Sequence, residues 1–67
     1  MSVAKVIEIS SSSPEGFEHA IVRGIERATK SVEDIKGAWV KEQSVVVADG
    51  RIKEYRVDLK VTFVLKK

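Results

Sequence analysis

The chain has 67 residues, a formal net charge of +2, 43% hydrophobic and 33% charged residues, no cysteine and one histidine. A chain this short buries only about 60% of the surface it exposes when unfolded, which excludes a two-domain enzyme and leaves a marginal core. Domains of this size usually lean on disulfides, a structural metal or association. The composition offers neither of the first two, so association with other copies is the expectation.

Residues 1–67 read as one domain. No segment approaches the roughly 20 apolar residues needed to span a bilayer, and Met1-Ser2-Val3-Ala4-Lys5 lacks the apolar core of a secretory signal. A cytoplasmic protein with no membrane contact is expected. The 12 Lys and Arg residues are interleaved with the 10 Asp and Glu residues, with no basic block, so nucleic acid is not expected as a partner.

In chain order, Val3 to Ile9 is β-branched and partly alternating, which predicts a short strand, and Ser10 to Ser13 predicts a loop. Ser13-Pro14-Glu15-Gly16 has the form of a helix start, with Ser13 as cap and Pro14 in the first position. Phe17, Ala20, Ile21, Gly24, Ile25, Ala28, Val32 and Ile35 follow a three-and-four spacing, which predicts an amphipathic helix from Pro14 to Ile35. Gly24 falls on the buried stripe, where it is expected to allow close approach of a strand.

From Gly37 the period changes to two. Asp49-Gly50 separates Gly37–Ala48 from Arg51–Leu65 and favours a type I′ turn, which predicts a long hairpin. With a two-residue loop, opposed residues sum to 99, so Tyr55 meets Ser44, Val57 meets Glu42, Leu59 meets Val40 and Val61 meets Ala38. Tyr55, Val57, Leu59, Val61, Phe63 and Leu65 form one apolar face, which receives the helix. The other face then carries Gly37, Trp39, Lys41, Gln43, Val45 and Val47 opposite Ile52, Glu54, Arg56, Asp58, Lys60, Thr62 and Val64. In this register Lys41 opposes Asp58, Gln43 opposes Arg56 and Trp39 opposes Lys60.

The fold expected is α+β in the order β-α-β-β: a three-stranded antiparallel sheet whose long hairpin wraps on one amphipathic helix. A helix of about 22 residues reaches about 33 Å, while a third strand of about 15 residues reaches about 50 Å. One helix covers one face, so the second face, with Trp39, Val45, Val47, Ile52 and Val64, is expected to meet other copies.

The element order, together with Ser12-Ser13-Pro14-Glu15-Gly16-Phe17-Glu18 and Tyr55-Arg56-Val57-Asp58-Leu59-Lys60-Val61-Thr62-Phe63, resembles the dodecin family over nearly the whole chain. That resemblance implies a hollow homododecamer that binds or stores a small ligand and is not an enzyme. In flavin-binding members a Trp opening the second strand stacks on the isoalloxazine ring, and a Gln in the third strand bonds its edge. Those positions fall on Gly37 and Arg56 here. Trp39 lies two residues after Gly37 and faces the same way by the period of two, so it could reach the same cavity.

Two ligand readings follow. In the first, FMN or riboflavin stacks on Trp39, with Arg56 at a polar end and Gln43 supplying an amide. In the second, the flavin site is lost, Trp39 and Arg56 are interface residues, and ions or no specific ligand occupy the cavities. His19 has no second His, no Cys and no serine elbow near it in sequence, so no triad or zinc site is expected. Glu15 with Glu18, and Glu33-Asp34, lack the spacing of a calcium loop.

Overall fold

The computed structural model describes residues 3–65, which form β1 (Val3–Ser13), α1 (Phe17–Thr29), β2 (Ile35–Ala48) and β3 (Arg51–Leu65). The strands make one antiparallel sheet in the order β1-β3-β2, as the β-α-β-β reading expects. Asp49 and Gly50 both take positive φ, 54° and 72°, the conformation a type I′ turn requires.

β1 does not stop at Ile9. It continues through the serine run, with Ser10, Ser11, Ser12 and Ser13 opposite Asp58, Val57, Arg56 and Tyr55. Pairing with β3 supplies the backbone partners that a serine loop would otherwise take from its own side chains, so the neighbouring strand overrides the local turn signal.

α1 is shorter than its periodicity suggests, 13 residues starting at Phe17 instead of 22 starting at Pro14. Gly16 holds φ 152° and ψ 170°, which no helix contains, so Pro14 and Glu15 belong to the link from β1. Ser13 caps that link and not the helix: its Oγ accepts from the Glu15 N–H at 3.0 Å and shares a 2.6 Å hydrogen bond with His19 Nδ1. At the other end Lys30 caps the last turn and Asp34 turns the chain into β2 at φ 61°.

The hairpin register follows the sum of 99 beside the turn and again from Val40 to Gly37. Val47 opposes Ile52, but Val46 opposes Glu54, leaving Lys53 as an extra residue on β3. Between Val40 and Glu42 the extra residue is Lys41 on β2, and the sum returns to 99 at Val40, Trp39, Ala38 and Gly37. These two shifts offset each other, and between them Tyr55 meets Val45 and Val57 meets Gln43; a third shift, at Lys36, sets Ile35 opposite Phe63. Opposed residues share a face, which places Gln43, Val45, Val47 and Ile52 on the side of Tyr55 and Val57 and not on the side of Trp39.

α1 packs on β1 and β3. The core comprises Ala20, Ala28, Val57, Leu59 and Val61, with Ile7, Ile9, Phe17, Ile21, Ile25 and Ile35 packed partly against it. Phe17 meets Tyr55 edge to face at 5.1 Å, closing the helix start onto the sheet. The molecule measures 51 × 19 × 14 Å, and its radius of gyration is 13.8 Å. A compact chain of this length has a radius of about 11 Å, so the protein is a thin slab.

Gly24 marks a close approach of helix to sheet. A Cβ there lies 3.1 Å from Ser11 Cβ and 3.3 Å from Leu59 Cδ1. Ser11 Cβ is fixed to the strand and cannot retreat, so overpacking outweighs the roughly 1 kcal/mol that alanine normally gains in a helix. Gly24→Ala is expected to lower unfolding free energy by about 1 kcal/mol in urea denaturation; an increase would show that the strand yields.

Candidate functional site

The face turned away from α1 is built of cross-strand rungs. Val6, Thr62 and Gly37 form the first, Glu8, Lys60 and Trp39 the second, Ser10, Asp58 and Glu42 the third, and Ser12, Arg56 and Ser44 the fourth. Each rung spans three strands about 4.8 Å apart, so the face is a narrow ribbon of polar groups with one aromatic ring.

Trp39 is half exposed, and the Lys60 ammonium lies 5.9 Å from its ring centroid. This is the one of the three expected cross-strand pairs that the register preserves. Gly37 leaves open space beside it: a Cβ there would meet only Thr62 Oγ1, at 3.5 Å, while the Thr62 hydroxyl donates to the Gly37 carbonyl at 3.1 Å.

Arg56 stands two rungs from Trp39, about 13 Å along β3 at about 3.3 Å per residue. Its Nε lies 3.4 Å from Glu54 Oε1. A pocket of about 280 Å³ beside it is lined by Ser10, Ser12, Ser44, Arg56 and Asp58, and the Ser10 hydroxyl donates to Asp58 Oδ1 at 2.7 Å. Gln43 does not join this group. It opposes Val57 on the helix side, so one chain brings Trp39 and Gly37 together, holds Arg56 at a distance on the same face, and turns Gln43 away.

Three features of the face are invisible to local patterning. The bulge aims Lys41 across β3, where its Nζ reaches Glu8 Oε2 at 2.9 Å and ties the two edge strands together. The hydrogen bond to Glu8, then the charge of the same carboxylate, raises the Lys41 pKa above the usual lysine value. Lys41 is therefore charged at neutral pH, and the pair is lost as pH rises past that raised value. Glu42 and Asp58 are opposed carboxylates, an arrangement that disfavours the sheet unless positive charge lies near. Ser10 and Ser12 reach the face only because β1 extends beyond Ile9.

His19 has a serine partner after all, brought by the link between β1 and α1. Ser13 Oγ, His19 Nδ1 and Glu15 make a Ser-His-Glu set, with His19 Nε2 3.7 Å from Glu15 Oε2. Ser13 is 1% exposed and its oxygen already accepts from the backbone. The hydroxyl clamps the junction and faces no substrate. Among the described residues no group of three or more His, Cys, Asp or Glu side chains is placed to hold a metal ion, and no helix is long and apolar enough to cross a membrane.

A sequence model of the dodecin family matches residues 3–66. The calcium dodecin of Mycobacterium tuberculosis is 41% identical over 66 residues, covering 98% of this chain and 93% of the relative. Its crystal structure, described as that of a calcium-chelating antigen with a calcium-binding site, superposes with a TM-score of 0.84 at 42% identity, covering 97% of this chain and 93% of that one. An arginine-to-alanine variant of the Thermus thermophilus dodecin superposes with a TM-score of 0.95 at 34% identity over the full length of both chains. Strand order, helix placement and sequence thus agree from one end of the chain to the other, and the protein belongs to the dodecin family.

Proposed function

We propose that this dodecin-family binding protein is a cytoplasmic storage or buffering protein and not an enzyme. Each copy contributes residues 1–67 as one domain to a homododecamer, and the ligand sits at seams between copies on the face that carries Trp39. The ligand we favour is a divalent cation, with the flavin site lost.

The observation that carries this reading is the separation of the flavin-directed residues. Gly37 supplies no ring, Gln43 lies on the opposite face from Trp39, and Arg56 is engaged by Glu54. A flavin on Trp39 would have to displace the Lys60 ammonium from the ring and would find no amide from the same chain at its edge. The face instead carries four carboxylates, Glu8, Glu42, Glu54 and Asp58. A hard cation takes six to eight oxygens, and the carboxylates of one chain are spread over successive rungs, so a site of that kind needs more than one copy. A relative named for calcium supports the same class.

The second reading keeps flavin, with Trp39 stacking, Arg56 toward the phosphate of FMN and Gln43 reaching in from a neighbouring copy. The open shelf at Gly37 beside a half-exposed indole favours it.

One pair of titrations separates the two. Calcium added to the chelator-treated assembly is expected to release or absorb heat saturably in calorimetry, while FMN and riboflavin at tens of micromolar keep their full fluorescence. Flavin quenching without calcium heat would reverse the assignment.

Space at Gly37 gives a second prediction. A Cβ at position 37 meets only the Thr62 hydroxyl, and Gly37→Trp is expected to create flavin quenching that the parent lacks. Unchanged fluorescence in an intact oligomer would mean that the cavity differs from that of flavin-binding dodecins.

A further inference from the structure

β1 is an edge strand: β3 lies on one side of it and, among the described residues, no strand lies on the other. A groove of about 800 Å³ runs along that open edge, between β1 and one flank of α1. Ile9, Ser10, Ser11 and Ser12 all line it. Successive strand residues face opposite ways, so a groove lined by four in a row reaches the backbone edge itself. Edge strands are normally blunted by a bulge, a proline or charged side chains, and this stretch has none of them. Its serines are too short to cover the N–H and C=O groups of the free edge.

The helical wall of the groove is cationic. Arg23, Arg27 and Lys30 line it, and all three are exposed. Among the described residues no carboxylate pairs with any of them, although Glu26 lines the same groove, and Arg27 Nη1 spends one donor on the Ser31 hydroxyl at 3.2 Å. Like charges four residues apart, as Arg23 and Arg27 are, repel along a helix, and no ion pair offsets that cost.

The geometry points to an extended acidic peptide segment of another protein as the occupant: it adds to β1 as a fourth strand and sets its carboxylates against Arg23, Arg27 and Lys30. Spacing supports that partner. Arg23 and Arg27 are about 6 Å apart along the helix axis and Arg27 and Lys30 about 4.5 Å, while the residues of a strand that face one side recur at about 6.6 Å. Charge disfavours a second copy, because a continuous sheet through two β1 edges would put both helices on one side and their cationic flanks together.

The test is fluorescence anisotropy of a labelled peptide of alternating glutamate and valine, titrated with the purified full-length chain in whatever oligomeric state it adopts. Saturable binding is expected. The same peptide methylated on all its backbone nitrogens keeps the charge but has no donor for a strand edge, and is expected to bind at least tenfold more weakly. Arg23→Glu with Arg27→Glu, on exposed side chains, is expected to weaken binding at least tenfold while the circular dichroism stays that of the parent. Should that variant fail to fold, Arg23→Gln with Lys30→Gln carries the same test, with a loss of at least threefold expected. Equal binding of the methylated peptide would overturn strand addition. A peptide that stays free while inorganic triphosphate binds through the same cations in calorimetry would overturn the choice of partner and give the groove to a phosphate compound.

Discussion

One helix of 13 residues, about 20 Å long, has to shelter a sheet in a molecule 51 Å long. That mismatch sets the character of the structure. The helix packs on two strands of three and spans less than half the length of β3, so among the described residues the core contains five buried apolar residues, two of them alanines. Burial of this size is small against the conformational entropy of 67 residues. In the proposed assembly, other copies supply the missing stabilisation.

The compensating bulges give the hairpin two kinds of surface. In the central stretch they bring Glu42 and Ser44 onto the Trp39 face, and toward the turn they send Val45, Val47 and Ile52 to the helix side. The ligand-directed face becomes more polar and the helix side more apolar than uninterrupted alternation would make them. Lys41, the residue inserted at one bulge, spans β3 to Glu8 and so fastens the outer strands at the level of Trp39. One register device thereby shapes both faces of the hairpin.

The elements that local chemistry determines were legible in the sequence. Asp49-Gly50 marked the turn, the odd-numbered apolar residues of β3 marked the core face, and Gly24 marked the close contact with β1. The helix ends were not legible, because Val32 and Ile35 continue the three-and-four spacing although the chain has turned at Asp34. The serine run read as a loop because nothing within it reveals that β3 waits as a partner. The bulge at Lys41 left no trace for a physical reason: Lys41-Glu42-Gln43-Ser44 is polar throughout and Val45-Val46-Val47 apolar throughout, so a shift of one residue changes no pattern of period two. The bulge at Lys53 shows only as the change from even to odd apolar positions between Ile52 and Tyr55. For the candidate site, Trp39, Arg56 and Gly37 kept the face assigned to them, whereas Gln43 followed the bulge to the other one. The partnership of Ser13 with His19 was out of reach because it depends on where β1 ends.

The most direct test of the account is sedimentation of the unmodified chain on serial dilution, with secondary structure recorded at each concentration. The account predicts a multiple of 7.4 kDa that loses mass and β-structure together. A 7.4 kDa particle retaining its full β-structure at the lowest concentration would contradict it.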